Sequence, residues 1–290
     1  MKEIYYSLHR KFFKITNPLL YLYLKKKNPI MRVEINGQII KVPFNHSGPL
    51  YQKEFEKYDR QLGKICKNVF DKLNGISVID IGANIGDTIV NIGLKEAEYL
   101  AVEGDKEFFA LLEENTQNYS VHYENVFLSD NEKRGYRNVI TSGTGALVED
   151  DNSEVNIITL DKLMQMKYSD FKADIIKIDT DGFDFKVIRG GRDYIRNTKA
   201  VIFFEWDKEK LNEQREDELS IFQELGDMGY EDLIIFDNFG NKMVSVKLTD
   251  TKLLRDMAEY SMSKDKRIDY YDVLAIHKDS PVSASDFECL

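Results

Sequence analysis

The sequence predicts an α/β fold: a mostly parallel sheet covered by helices on both faces, with an antiparallel strand near the C-terminus. Three observations lead there. From residue 76 onward, short and nearly continuous apolar runs alternate with helical segments, as expected of strands buried on both faces. A spaced pair of glycines, Gly82 and Gly86, follows the first run and opens a helix. Acidic residues (Glu103, Asp179 and Glu205) stand just after or at the end of later runs, at the sheet edge where ligands of open parallel sheets collect. The chain has 290 residues, 42% hydrophobic and 31% charged, which describes an ordinary globular protein with material for a large core.

The elements follow in order. Residues 1–30 hold seven Lys or Arg and one Glu. Their apolar stretches are interrupted by His9, Arg10, Lys11 and Lys14, unlike a signal peptide, and no run approaches the roughly 18 residues of a membrane span. Phe12, Phe13 and the run Leu19 to Leu24, followed by Lys25-Lys26-Lys27, are expected to form a helix packing its aromatic stripe on the domain. The alternative is a peripheral contact of residues 1–30 with an anionic membrane surface. Arg32–Ile35 and Gln38–Val42 alternate around Asn36-Gly37, a hairpin signal. Residues 50–74 read as one amphipathic helix closed by Asn74-Gly75.

The apolar runs are Ile76–Ile81, Tyr99–Val102, Val121–Phe127, Ala173–Ile178, Ala200–Phe204 and Leu233–Phe236, with helices expected over 85–95, 105–118, 159–166, 184–197 and 208–228. Tyr270–Ile276 is the expected antiparallel strand, at or near the sheet edge. Residues 128–158, rich in Asn, Ser, Gly and Asp, read as an irregular excursion on the ligand side. The division is thus an N-terminal helical and hairpin extension, 1–74, and a ligand-binding domain, 75–290, with an insertion at about 128–158.

The net charge of −10 argues against a nucleic-acid partner, which calls for a basic face. Cys66 and Cys289 are the only cysteines, so neither a disulfide framework nor a Cys-based zinc site is expected, and the expected compartment is the cytoplasm, with the inner membrane face as its variant.

Chemistry concentrates after the first run. In Asp80-Ile81-Gly82-Ala83-Asn84-Ile85-Gly86-Asp87-Thr88, the glycines permit a tight turn and close approach of a ligand. Asn84 tolerates left-handed backbone, and the helix start around Thr88 presents unpaired N–H groups. A carboxylate at Asp80 suits a cationic ligand and would repel a pyrophosphate. Glu103, 21 residues after Gly82, stands where an acid accepts hydrogen bonds from both ribose hydroxyls. Together these residues point to a nucleoside carrying positive charge.

These segments, VIDIGANIGDT and AVEGDKEFFALLEEN, with IITLDKLM, IIKIDTDGFDFKVIRGG and VIFFEWD downstream, resemble the FkbM-type family of S-adenosylmethionine-dependent methyltransferases over roughly residues 75–240. The resemblance implies a Rossmann-like class I methyltransferase sheet with S-adenosylmethionine as cofactor. It implies that Asp80, Gly82, Asn84 and Gly86 line the methionine end and that Glu103 holds the ribose, with Asp105 and Phe108 near the adenosine. It also implies O-methylation of a sugar, glycan, glycolipid precursor or polyketide-like product. The family carries a pattern near Asp-Val-Glu-Gly-Ala-Glu where this chain has Asp179 to Asp184, so Asp181 and Asp184 are each one methylene shorter.

Transfer to a hydroxyl requires that its proton be removed as the bond forms. Asp179 or Asp181 is the expected base, with Glu205 as a second carboxylate. Asp184 reads equally as a helix cap. Clustered acids can hold a divalent metal, which is not the favoured reading. The rivals are an NAD-dependent oxidoreductase, against which Asp80 and Asn84 both count, and a catalytically silent binding module.

Overall fold

The computed structural model describes residues 17–132, 136–141, 144–149 and 156–290, by backbone alone at 49, 50, 53, 136–141 and 144–149. It opens with helix α1 (Pro18–Lys27), capped by the Asn17 side chain, and a hairpin of β1 (Ile30–Ile35) and β2 (Gln38–Pro43). Asn36 and Gly37 both take positive φ, 48° and 76°, as the two-residue turn requires. The single helix expected over 50–74 is instead two, α2 (Gly48–Glu54) and α3 (Arg60–Leu73). They are separated at Asp59, whose backbone is left-handed with φ 58°, and the amphipathic rhythm did not reveal that break.

Strands and helices then alternate through β3 (Ser77–Ile81), α4 (Asp87–Ile92), β4 (Glu98–Val102), α5 (Lys106–Thr116) and β5 (Ser120–Glu124). Residues 128–158, read as irregular, contain more order than expected. β6 (Phe127–Leu128) and β9 (Ile157–Ile158) pair in parallel at the base, and β7 (Tyr136–Thr141) and β8 (Thr144–Glu149) form an antiparallel hairpin. Next come α6 (Leu160–Lys167), β10 (Ile175–Ile178), α7 (Asp184–Gly190), α8 (Arg192–Thr198) and β11 (Val201–Trp206). The helix expected over 184–197 is divided at Gly191, and that over 208–228 falls into α9 (Lys208–Glu213) and α10 (Ser220–Asp227). The chain ends through β12 (Tyr230–Asp237), β13 (Lys242–Lys247), α11 (Thr251–Ser261), β14 (Tyr271–His277) and a short 3-10 turn.

The central sheet has eight strands in the order β13-β12-β14-β11-β10-β3-β4-β5. The run from β11 to β5 is parallel. β14 is antiparallel, as expected, but inserts between β11 and β12, third from the edge; the edge belongs to β13, which the sequence reading did not foresee. Strand alternation divides the core: Ile79, Ile81, Ile176, Ile178, Ile202 and Phe204 face one helical layer, and Val78, Ile175, Val201 and Phe203 the other. A third cluster joins Val33, Ile35, Ile40 and Val42 of the hairpin to Ile85, Val90 and Phe108. The N-terminal extension therefore packs directly on the glycine-loop region.

Candidate active site

The parallel strands β3, β4, β10 and β11 all run the same way, so Asp80, Glu103, Asp179 and Glu205 arrive at one edge of the sheet. The order 5-4-3-10-11 reverses its direction of growth at β3, and the gap this opens between the loops after β3 and β10 is where a ligand is accommodated. Two cavities meet there, sharing Gly82, Asn84, Asp179 and Asp181 in their walls.

The first cavity is bounded by Glu103 and Gly104 on one side and by Val126, Phe127 and Phe183 on the other. Glu103 is buried, and its two carboxylate oxygens accept the N–H groups of Asn84 (2.8 Å) and Asp105 (2.7 Å). It thus clamps the glycine loop to the end of β4 while each oxygen keeps a second lone pair. Burial pushes its pKa up to about 7. Asp105 and Phe108 serve the frame: Asp105 caps α5 through the N–H groups of Glu107 and Phe108, and the Phe108 ring lies in the cluster under the hairpin.

The loop itself is braced from behind. Gly82 has φ 74°, and a Cβ there would lie 1.8 Å from the Asp179 carbonyl oxygen, so only glycine lets the β3 and β10 loops touch. Gly86 lies against Thr116 and Leu112 of α5 rather than in a cavity wall. Asp80 also lies behind the wall. It is fully buried, and its neighbour across the strand pair, Lys177, brings Nζ to 3.1 Å from Oδ1. At that distance the Lys177 ammonium is the charge partner of the buried Asp80 carboxylate. The cation that Asp80 faces is therefore supplied by the protein. Burial raises the Asp80 pKa against the pull of Lys177. Burial also opposes the Lys177 charge, but Asp80 and Asp179 outweigh it and hold the ammonium protonated.

The second cavity is lined by Gly82, Asn84, Asp87 and Thr88 of the glycine loop and the helix it opens, by Lys177 of β10, by Asp179, Asp181 and Glu205, and by Tyr58, Asp59, Tyr270 and Asp272 from outside the parallel sheet. The three acids singled out from the sequence are in different situations. Asp181, at φ 52°, makes a short ion pair with Lys210. Glu205 lies 3.3 Å from the same ammonium, and burial raises its pKa well above the carboxylate range. Asp179 has a side chain 55% exposed, 3.6 Å from Lys177, and touches both cavities. Asp184 is not the cap of α7. It is buried and accepts from Thr180 N (3.3 Å), Thr180 Oγ1 (3.0 Å) and Glu205 N (3.3 Å), tying the two acidic loops together.

Several residues in or beside the second cavity were not found from the sequence, among them Lys177, Tyr58, Asp59, Tyr270 and Asp272 in its wall and Lys210 behind Asp181 and Glu205. Lys177 left a signal, a lysine inside an otherwise apolar strand, and Lys210 left none. Tyr58 and Asp59 reach the cavity only because the helix breaks before Arg60, and Tyr270 and Asp272 because β14 inserts beside β11. Burial, with the neighbouring Asp87 and Asp179, pushes Asp59 up to about 7, and Asp272 is raised by burial and Asp59. Among the described residues, no group of three or more His, Cys, Asp or Glu is placed to hold a metal ion.

The model of the methyltransferase FkbM domain matches residues 80–231, just over half of the chain, including the glycine loop, Glu103, Asp179, Asp181 and Glu205 but not Tyr58, Asp59, Tyr270 or Asp272. The chain belongs to the FkbM methyltransferase family. With the family goes the cofactor, S-adenosylmethionine, and the residues fit it. The carboxylate of Glu103 opposite apolar walls suits a ribose and its base, and the Lys177 ammonium and the polar loop suit an amino-acid end. No curated protein matches the chain. Among solved structures, the FkbM methyltransferase from Methylobacillus flagellatus KT is 14% identical over 69% of this chain and 43% of its own, with a TM-score of 0.36. The plantazolicin methyltransferase BamL, in complex with a triazolic desmethylPZN analog and SAH, is 14% identical over 78% and 88%, with a TM-score of 0.41. The Pyrococcus abyssi tRNA (uracil-54, C5)-methyltransferase, in complex with S-adenosyl-L-homocysteine, is 10% identical over 85% and 43%, with a TM-score of 0.42. The chain spans less than half the length of the first and third. At these scores the fold assignment rests on the strand order described above. No helix among the described residues is long and apolar enough to cross a membrane.

Proposed function

We propose that this FkbM-family chain is an S-adenosylmethionine-dependent O-methyltransferase acting on a hydroxyl of a sugar, glycan or glycolipid precursor. The observation that carries the reading is the meeting of two unlike cavities at Gly82, Asn84 and Asp179. One has an acid and apolar walls, the chemistry of a nucleoside site. The other is lined by carboxyl groups and two tyrosines, which suit a small polyhydroxylated acceptor: carboxylates accept hydroxyl protons, and aromatic faces cover sugar C–H surfaces. Bound S-adenosylmethionine supplies a methyl group already activated by its sulfonium centre.

The protein then has to orient the acceptor oxygen and take its proton. Of the candidate acids, Asp181 is committed to Lys210, and Glu205 shares that ammonium from a buried position. Asp179, open to both cavities and 3.6 Å from the Lys177 ammonium, is the acid best placed to receive the proton. Lys177 also donates to the Gly82 carbonyl (3.1 Å), which holds the loop in register with Asp179.

The test has two arms. Calorimetry should show binding of S-adenosylmethionine and none of NAD; the reverse would end the reading. Screening glycan and glycolipid acceptors with labelled methyl donor should yield S-adenosylhomocysteine. Asp179→Asn should then lower kcat by about 10²–10⁴-fold with cofactor affinity nearly unchanged. Equal loss of binding and turnover would assign Asp179 to the cofactor loop instead.

A further inference from the structure

We infer that α1 is a peripheral membrane anchor that lays one face on an anionic lipid surface. At 100° per residue, Leu22, Leu19, Tyr23 and Leu20 fall within one arc of about 160° on the helix surface. All four are exposed, Leu19 at 79%, Leu22 at 59% and Tyr23 at 57%, and no residue of α1 is buried. The opposite side holds the helix to the protein: Tyr21 meets Phe44 edge to face at 6.0 Å, and Leu24 packs partly on the hairpin cluster. Single exposed leucines are normal on a protein surface. Four exposed in one arc of a ten-residue helix, an arc that Lys26 and Lys27 share in its last turn, are more than singly scattered surface residues.

Charge identifies the occupant. Lys25, Lys26 and Lys27 follow directly, all exposed and none paired with a described acid. Basic residues in a last turn also answer the helix dipole, but that leaves the apolar arc unexplained. Residues 1–30 hold seven Lys or Arg against one Glu in a chain of net charge −10. The remainder is therefore strongly acidic and would be repelled by an anionic bilayer. A helix end that is both apolar and basic is the combination that partitions into such an interface, with aromatic and leucine side chains in the acyl boundary and lysines at the headgroups.

Vesicle sedimentation with the full chain tests this, comparing phosphatidylcholine alone with phosphatidylcholine containing phosphatidylglycerol. Binding is expected only to the anionic vesicles and should fall with rising salt. Because each lysine near an anionic surface is worth about fivefold in partition, the Lys25→Glu/Lys26→Glu/Lys27→Glu variant should lose about a hundredfold or more. Leu19→Glu/Leu22→Glu should lose at least about tenfold. Both variants lie on the surface, and unchanged thermal unfolding checks that they fold. Equal binding to both vesicle types, wild-type binding by either folded variant, or no binding to any vesicle would overturn the proposal. A concentration-dependent dimer abolished by Leu19→Glu/Leu22→Glu would assign the face to a second copy instead.

Discussion

Gly82 and Lys210 show how single residues set the site. Gly82 is required by backbone conformation and by the Asp179 carbonyl together, so Gly82→Ala meets strain and collision at once. A non-glycine residue in such backbone costs about 1–3 kcal/mol. The loop should shift, and affinity for S-adenosylmethionine should fall at least about tenfold in calorimetry. Lys210 answers two acids, the half-buried Asp181 and the buried Glu205. Lys210→Met removes the nearby charge that lowers both pKa values, so both acids should hold protons to higher pH. The acidic limb of the kcat/KM profile is expected to move upward in pH. An unmoved limb would show that neither acid belongs to the titrating machinery. The sequence contained the acids in their right places, because strand-to-loop junctions are local features. It did not contain their partners, because Lys210 meets Asp181 only across a loop from the next strand.

Among the elements, the hairpin and α5 are joined around Asn115, whose carbonyl accepts from Gln38 (2.6 Å). Asn115, buried, donates to the carbonyls of Lys41 (2.9 Å) and Ile85 (2.8 Å) and accepts the Lys41 N–H (2.7 Å). It fastens β2 to the end of the glycine loop, so the segment read as a separate extension is structurally continuous with the cofactor side. Asn115→Ala leaves these backbone groups without partners, at about 1–3 kcal/mol, and should lower the urea midpoint. Retention of full stability would mean that the Lys41 and Ile85 groups find water instead. The broken helices at 55–59 and 214–219 follow the same lesson. Each break contains a residue in left-handed backbone, Asp59 at φ 58° and Arg215 at φ 57°, which the spacing of apolar residues did not announce.

Across the whole molecule, buried acids dominate the electrostatics. Burial raises Glu103 and Asp184 to about 7 and moves Asp80, Asp181, Glu205 and Asp272 upward as well. The folded protein therefore holds protons that the unfolded chain releases near pH 4, so this contribution to stability is present at low pH and declines as pH rises through about 7. His277, whose pKa burial lowers, acts in the opposite sense below its ordinary value. With many acids against one histidine, thermal scans of the cofactor-free protein should show a higher midpoint at pH 6 than at pH 8, and Glu103→Gln should flatten the difference. A midpoint that rises with pH over this interval would contradict the burial-driven shifts.

By itself, the sequence determined the α/β alternation, the parallel strands β3, β4, β10 and β11, the glycine loop, and the arrival of Asp80, Glu103, Asp179 and Glu205 at one sheet edge. Each depends on periodicity or turn chemistry within a few residues, and parallel pairing brings the strand ends together. Only the tertiary structure decided which of those residues line a cavity and which brace it, since Asp80 and Gly86 stand behind the wall. It alone closed the second cavity, where Gln61 donates to Asp272 (2.9 Å) across 211 residues of chain. That contact exists because β14 enters antiparallel between β11 and β12 while the break before α3 turns Tyr58 and Asp59 inward. Both are outcomes of global packing, for which no local pattern carries a signal.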